Sequence, residues 1–212
     1  MIVISVCICT RRREEELIKL LESIQVIKVP EDVSVNLIIV ENDTEEFSKG
    51  AVLKFSETSK FQIRYFLEKN PGISYARNRS VQESSGSDFC CFIDDDQTVD
   101  ENWLVELVKC QKEFSADAVS GSTPPVFEYA VPKYIEKFHQ DERLPYGTII
   151  EKAATGCLMV KKEYLDKIPG PFDLRLNFTG GEDFFMTHHI TKLGGKIVVN
   201  HDAISYEIIP RD

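Results

Sequence analysis

Long apolar segments are absent from this chain of 212 residues. A membrane-spanning helix needs about 20 mostly apolar residues in succession, and no run of that length occurs. The start also lacks the basic segment and apolar stretch of a secretory signal, because Met1 leads directly into the strand-like Ile2-Val3-Ile4. We therefore expect a cytoplasmic protein with no integral membrane segment, whose association with the inner face of a membrane would be peripheral.

Basic residues are in a minority. Lys and Arg number 25 against 35 Asp and Glu, so the formal net charge is -10. Proteins that bind nucleic acid broadly rely on Lys and Arg to neutralise phosphates, so this balance argues against a nucleic-acid partner. It leaves room for a small phosphorylated ligand held by a few local cations or by a metal ion.

Cysteine motifs are missing as well. The six cysteines include no C-x-x-C pair and no Cys/His cluster with zinc spacing. Most of them lie in apolar, strand-like runs, where a free thiol behaves as a small hydrophobic group. We expect these cysteines to be reduced core residues with no role in catalysis.

What is present is an alternation of β-rich runs and amphipathic helical patterns. Apolar residues such as Leu17 and Leu21 recur at helical spacing in the latter. Predicted strands span residues 2–9, 35–40, 61–67 and 88–93, and predicted helices span residues 14–27, 73–84 and 103–114. This order is typical of an α/β fold with a mostly parallel central sheet flanked by helices. Ligands of such sheets bind beyond the carboxyl ends of the strands, here after Cys9, Val40 and Ile93.

The second half has a different composition. Residues 122–145 contain four prolines and several aromatic residues, and they predict a long loop that shapes a binding site or closes over it. A strand over 153–160, a loop over 169–181, a helix over 184–193 and a strand over 196–199 are predicted to follow. No linker separates two folding units, so we expect one domain over 1–212.

Three consecutive carboxylates, Asp94, Asp95 and Asp96, follow a buried strand. They repel one another unless a cation compensates, and oxygen ligands suit Mg²⁺ or Mn²⁺, which commonly bridge to diphosphate oxygens. From the residues alone, a solvated acidic turn that caps the helix near Glu101 is the alternative.

A second acidic pair, Glu182 and Asp183, follows two glycines. Glycine lets the backbone approach a ligand closely, and a carboxylate at the start of a helix can serve as a general base. The alternative is an acidic N-terminus favoured by the helix dipole. Polar segments at 10–13 and 41–43 follow other predicted strands, as the three aspartates do, so these strand-end segments would face one crevice.

Six segments, taken in order, resemble the family 2 glycosyltransferases of GT-A fold. They are the first strand ending in Thr10-Arg11, the turn Glu41-Asn42-Asp43-Thr44, the G-x-x-x-A-R-N segment at 72–78, the D-x-D motif at 94–96, the small-residue strand at 154–162, and Glu182-Asp183 followed by Gly194-Gly195. The resemblance covers nearly the whole chain. It implies a Rossmann-like GT-A sandwich, with a nucleotide-binding half over 1–121 and a smaller donor-sugar and acceptor half over 122–212.

The resemblance also implies an activity. A sugar would pass from a nucleotide-sugar donor to a hydroxyl of a saccharide or lipid-linked acceptor, and UDP, the commonest nucleotide in the family, is the expected carrier. The anomeric configuration would be inverted, Mn²⁺ or Mg²⁺ would be the cofactor, and the product would be a cell-surface polysaccharide or glycolipid. The implied roles are Asp183 as catalytic base with Glu182 beside it; Thr10, Arg11, Glu41, Asn42, Arg77, Asp94 and Asp95 at the nucleotide; and Asp96, Asp94 and His201 at the metal ion.

Departures from the family pattern leave some questions open. Glu41-Asn42-Asp43 stands where the family has D-D-G, so the nucleobase contact is open between Glu41 and Asn42. The Q/R-x-x-R-W pattern of processive synthases is absent, which favours single addition. One alternative is a haloacid-dehalogenase-type phosphatase with Asp94 as nucleophile, since residues 94–98 fit D-x-D-x-T. Another is a nucleotide-sugar-binding subunit without turnover.

Overall fold

The structure, a computed structural model, describes residues 1–132 and 144–211. The helices are α1 (Glu14–Gln25), α2 (Lys49–Ser56), α3 (Ile73–Glu83), α4 (Trp103–Phe114), α5 (Lys162–Lys167) and α6 (Glu182–Lys192). The strands are β1 (Ile2–Thr10), β2 (Val33–Glu41), β3 (Gln62–Leu67), β4 (Phe89–Asp94), β5 (Gln97–Val99), β6 (Ala118–Ser122), β7 (Pro125–Phe127), β8 (Ile149–Ile150), β9 (Leu158–Lys161) and β10 (Ile197–Ile209). Short 3₁₀ turns lie at Thr155–Cys157 and Leu174–Leu176.

Four parallel strands form the first half of the sheet, in the order β3-β2-β1-β4. β1, β2 and β4 are nearly continuous runs of buried residues, as expected for strands covered on both faces. On one face, Leu17 and Leu21 of α1 join a core cluster with Ile4 of β1. On the other face, Ala76 of α3 packs in a second cluster with Cys7. The predicted α/β fold with helices flanking a mostly parallel sheet is confirmed.

The second half extends the same sheet with mixed strand directions. β9 runs antiparallel between β4 and β6, and β6 is parallel to β10. β10 also pairs with β5, β7 and β8. Its register against β6 shifts between Val199 and Ile204, which places Asn200–Asp202 in an irregular stretch near the end of β6.

Some predicted elements differ from those observed. The α2 helix is absent from the prediction because it is short and buries only Val52, which leaves little periodic signal. Only the end of the strand predicted over 153–160 belongs to a strand, since Thr155–Cys157 forms a 3₁₀ turn. The strand predicted over 196–199 continues to Ile209 because β5 and β7 pair with its second half.

The loop predicted over 122–145 lies partly beyond what the structure describes. Pro125–Phe127 within it forms strand β7 against β10. Residues 133–143 fall outside the described residues, and so does the closing role predicted for the loop. In the described part of the chain, no helix is both long enough and apolar enough to cross a membrane.

Candidate active site

The sheet register brings three of the predicted site segments to one edge. Thr10 at the end of β1 pairs with Glu41 at the end of β2. On the other side of β1, Cys9 pairs with Asp94 at the end of β4. The carboxyl ends of these parallel strands therefore lie side by side, which is where α/β sheets bind ligands.

Arg77 joins this edge to the start of α6. Its guanidinium donates to Asp94 Oδ1 at 3.0 Å and forms an ion pair with Glu182 Oε1. The side chains of Arg77 and Glu182 are only 9% and 6% exposed, so water screens their interaction poorly. Burial by itself would lower the pKa of Arg77, but the carboxylates of Asp94 and Glu182 raise it overall and keep the group cationic. The aspartate motif and the acidic pair thus share one buried cation.

Asp183 is the more accessible member of the acidic pair. It lies in the first turn of α6, which begins after Gly181 in the left-handed region at φ 90°. One of its carboxylate oxygens accepts the backbone N–H of Phe184 at 2.7 Å, and the residue is partly exposed. Within the described ranges no cation pairs with Asp183. Glu182 is therefore committed to Arg77, while Asp183 can meet another molecule.

Asp95 and Asp96 have a different partner, Arg13. Its Nη1 lies 3.1 Å from Asp95 Oδ1 and 2.9 Å from Asp96 Oδ2. Burial raises the pKa of the Asp95 carboxyl to about 6. With Glu182 included, four carboxylates meet two guanidinium groups here. Among the described residues, this leaves two formal negative charges in excess, which suits a divalent cation.

The predicted metal ligands fit a divalent cation by chemistry but are not preassembled. Asp94 and Asp96 offer hard oxygen donors and are 40% and 35% exposed. His201 shares a hydrogen bond of 2.7 Å between its Nδ1 and Ser122 Oγ, and its buried Nε2 meets no hydrogen-bond partner in the described residues. Across residues 1–132 and 144–211, no three His, Cys, Asp or Glu side chains are arranged to hold a metal. The metal site stays a prediction.

Glu41 is fully buried and satisfied within the protein. Its carboxylate accepts the backbone N–H groups of Arg12 at 3.1 Å and Ser48 at 2.9 Å, and the Tyr65 hydroxyl at 3.2 Å. Burial and the charge of Glu41 raise the pKa of Tyr65, so the phenol stays a donor. Glu41 therefore organises the loops after β1 and β2, and its contact with a nucleobase stays a prediction.

Asn42 and Asn177 together fix the start of α3. Asn42 Oδ1 accepts the N–H of Gly72 at 2.8 Å. From the opposite side, Asn177 Oδ1 accepts the N–H of Ser74 at 2.9 Å, and its Nδ2 donates to the Pro71 carbonyl at 2.8 Å. These bonds position the helix that carries Arg77. Asn177 has no motif around it in the sequence, so only the structure reveals this role.

Arg11 and Arg12 converge on one carboxylate, Asp43. Their Nε atoms lie 3.3 Å and 2.8 Å from Asp43 Oδ2. The hydrogen bond from Arg12 is the main reason why the pKa of Asp43 falls well below its usual range. The Arg11 side chain predicted at the nucleotide thus lies on the surface beside Asp43. A run of three arginines opposite an acidic turn was the available signal for this pairing and for that of Arg13.

Gly156 lets the small-residue segment approach the aspartate motif closely. A Cβ at this position would lie 2.8 Å from Gln97 Nε2 and 3.5 Å from Asp94 Oδ2. Gln97 in turn accepts the backbone N–H of Asp94 at 3.2 Å. The segment after residue 153 therefore lies against the aspartate motif, and its place beside the donor sugar stays a prediction.

The sequence pattern of glycosyl transferase family 2 matches residues 5–168 of this chain. The chain belongs to this family. Because the match spans the aspartate motif, and because three strands precede β4 in the chain, Asp94 does not occupy the first-strand position of a haloacid-dehalogenase nucleophile. The phosphatase alternative is not favoured.

Two curated relatives carry glycan-related names. The succinoglycan biosynthesis protein ExoM of Rhizobium meliloti (strain 1021) is 30% identical over 213 residues, which cover 99% of this chain and 68% of ExoM. The glycosyltransferase AglE of Haloferax volcanii is 26% identical over 175 residues, which cover 79% of this chain and 55% of AglE. This family 2 glycosyltransferase therefore spans only part of the length of these relatives.

Solved structures share the fold. The S. aureus TarS fragment 1–349 in complex with UDP-GlcNAc superposes with a TM-score of 0.74 at 18% identity, covering 100% of this chain and 60% of the fragment. The mannosyltransferase PcManGT of Pyrobaculum calidifontis, in complex with GDP-Man and Mn²⁺, gives a TM-score of 0.72 at 17% identity, covering 98% of this chain and 57% of PcManGT. The predicted GT-A architecture of this glycosyltransferase is confirmed.

Proposed function

We propose that this family 2 glycosyltransferase moves a sugar from a nucleotide-sugar donor, UDP-linked, to an acceptor hydroxyl, with inversion and with the help of Mn²⁺ or Mg²⁺. The acceptor is a saccharide or a lipid-linked saccharide of a cell-surface polysaccharide or glycolipid. The observation that carries the proposal is the ion-pair bridge through Arg77. It links the motif around Asp94 to the first turn of the helix that bears Asp183 through one guanidinium.

Asp183 acts as the base in this proposal. Its partly exposed carboxylate removes the proton from the acceptor hydroxyl as that oxygen attacks the anomeric carbon of the donor sugar. A bond forms between the acceptor oxygen and the anomeric carbon, while the bond from that carbon to the diphosphate oxygen breaks. Attack from the face opposite the leaving group inverts the configuration. Glu182 contributes by holding Arg77 and thereby the first turn of α6.

The leaving nucleoside diphosphate gathers negative charge as its bond breaks. The divalent cation would be held by Asp96, Asp94 and His201. When bound, it supplies positive charge to the diphosphate oxygens. The binding site for the nucleotide is lined or supported by Thr10, Arg11, Glu41, Asn42, Arg77 and Asp95. Glu41 and Asn42 would act there mainly through the loops that they hold in place.

The relatives support the choice of substrates. The TarS fragment binds UDP-GlcNAc and PcManGT binds GDP-Man with Mn²⁺, so the shared fold accommodates nucleotide sugars and a divalent cation. ExoM is named for succinoglycan biosynthesis, which supports a polysaccharide product. A cytoplasmic enzyme at the inner membrane face would meet both a nucleotide sugar and a lipid-linked acceptor.

Calorimetric titration tests the donor side. UDP, GDP, dTDP and CDP are each titrated into the protein with Mn²⁺ and again with EDTA. We expect UDP to bind with Mn²⁺ and to bind much more weakly with EDTA. If another nucleotide binds instead, the UDP assignment is wrong, and if none binds under either condition, the proposed function fails.

The variant Asp183→Asn tests the chemistry. Release of nucleoside diphosphate from the nucleotide sugar, with simple alkyl glycosides as acceptors, should fall by about 100-fold or more because the general base is lost. Nucleotide binding should be retained. The matched control is Asp32→Asn, an exposed aspartate that precedes β2 at the opposite edge of the sheet. Turnover of Asp183→Asn equal to that of Asp32→Asn would contradict the assignment of Asp183 as the base. Nucleotide binding with no turnover in the original protein or in either variant would point to a binding subunit without catalysis.

A further inference from the structure

The two arginines that pair with the aspartate motif differ in how easily their side chains can be displaced. Arg77 is locked by its second ion pair with the buried Glu182. Arg13 is 52% exposed and, in the part of the chain that the structure describes, is ion-paired only with Asp95 and Asp96. Its pair with Asp96 is accessible to solvent, and such a pair contributes about 1 kcal/mol or less, so a divalent cation at Asp96 can displace the guanidinium.

Arg13 is ion-paired with a carboxylate that a metal ion would need as a ligand. Its Nη1 lies 2.9 Å from Oδ2 of Asp96, one of the residues expected to hold the metal, and 3.1 Å from Asp95 Oδ1. A cation and a divalent ion at the same oxygen repel each other. Metal binding through Oδ2 of Asp96 therefore requires Arg13 to leave that oxygen.

The structure offers Arg13 a place to move to. A cavity of about 160 Å³ borders both Arg13 and Asp96, and the exposed carboxylates of Glu16 and Glu128 also line it. The backbone of Arg13 stays fixed meanwhile, because its carbonyl accepts the N–H of Leu17 at 3.0 Å as the first turn of α1. Only side-chain torsions need to change.

We propose that Arg13 is a resident counter-cation of the aspartate motif, which a divalent cation displaces. In the metal-free protein Arg13 neutralises part of the charge on Asp95 and Asp96. When the metal binds, the guanidinium moves toward the carboxylates of the neighbouring cavity. Arg13 thereby sets the metal affinity. This inference rests on the metal dependence in the proposed function.

Titration with Mn²⁺ alone tests the inference, with free Mn²⁺ measured by electron paramagnetic resonance and no nucleotide present. Arg13→Gln should bind Mn²⁺ at least about threefold more tightly than the original protein, because the competing cation is gone. The matched control is Lys19→Gln, which removes an equal charge from the same cavity without touching the aspartates. It should tighten Mn²⁺ binding by much less. Arg13→Lys keeps a cation and should stay close to the original affinity.

Two results would overturn the inference. One is a Mn²⁺ affinity of Arg13→Gln that equals or falls below that of Lys19→Gln. The other is the absence of Mn²⁺ binding in all of these proteins, because no metal then competes with Arg13. Neither result depends on nucleotide binding or turnover, so a failure here is distinct from a failure of the proposed transfer. A second readout is the thermal midpoint, which Mn²⁺ should raise more in Arg13→Gln than in Lys19→Gln.

Discussion

Arg77 lies between Asp94, 17 residues away in the chain, and Glu182, 105 residues away. Its guanidinium also lies 5.7 Å from the centre of the Phe172 ring, which helps to enclose it. A buried ion pair of this kind adds little net stability over apolar packing, but removing one partner leaves the other as an uncompensated charge. Arg77 therefore acts mainly by fixing the positions of the two acidic segments.

Replacement of Arg77 by Met should be strongly destabilising. We expect a loss of about 3–5 kcal/mol in the free energy of unfolding, because Glu182 is left buried without a counter-charge. Urea unfolding measures this loss. The double variant Arg77→Met with Glu182→Gln should recover part of it, since the buried charge is then removed.

The control for this prediction lies two residues further along α3. Arg79 pairs with Glu83 on the helix surface, so Arg79→Met should cost less than about 1 kcal/mol. A similar cost for Arg77→Met and Arg79→Met would contradict the assignment of Arg77 as the buried link.

At the residue scale, sequence reasoning found most of the candidate residues but few of their contacts. The motif resemblance selected Arg77 for the nucleotide, yet in the structure its side chain is taken up by two carboxylates. Arg13 was named only as part of a polar segment, and Asn177 was missed because no motif surrounds it. Their importance comes from partners more than 80 residues away.

At the scale of elements, the start of α3 is the most constrained junction around the site. Gly72 precedes the helix at φ 120°, a conformation that favours glycine. A Cβ there would lie 1.8 Å from Asn177 Nδ2, so the close approach of the loop after Phe172 also requires glycine. The position of Arg77 depends on this junction.

Gly72→Ala should therefore destabilise the protein for two reasons, backbone strain and collision with Asn177. Gly86→Ala tests the backbone strain alone, because Gly86 has φ 85° and a Cβ at that position would meet no atom within 4 Å. We expect Gly72→Ala to cost at least about 1 kcal/mol more than Gly86→Ala in urea unfolding. Equal costs would mean that the Asn177 contact is easily rearranged.

The predicted boundaries agree with the observed ones for long helices and buried strands, whose hydrophobic pattern is strong. The predicted helix over 103–114 coincides with α4, and the predicted helix over 73–84 differs from α3 by one residue. The short elements β5 and α5 were not predicted, since three to six residues give too little periodicity. The length of β10 depends on its neighbours and not on its own sequence.

At the scale of the whole molecule, the two predicted halves share one sheet and one core. Met159 and Val198 from the second half lie in the same apolar cluster as Ile4 and Leu17. The indole Nε1 of Trp103 donates to Cys157 Sγ at 3.2 Å and links α4 to the second half. These contacts favour a single folding unit.

Urea unfolding should accordingly be one cooperative transition. Trp103 is the only tryptophan and is fully buried, so its fluorescence reports the junction between the halves. The midpoint of the fluorescence transition should coincide with the midpoint measured by far-ultraviolet circular dichroism, because neither half retains a closed core alone. Cys157→Ala should shift both midpoints together. A fluorescence change that precedes the loss of secondary structure would indicate two separable units.

By itself, the sequence determined the α/β class, the order of the long elements and the polar segments at the strand ends. These features depend on local periodicity and on short motifs, which a stretch of about ten residues already contains. Only the tertiary structure decided that Arg77 holds Asp94 and Glu182, that Arg13 covers Asp95 and Asp96, and that Asn177 fixes the start of α3. Sheet register and helix packing set such contacts between distant residues, and no local pattern specifies them.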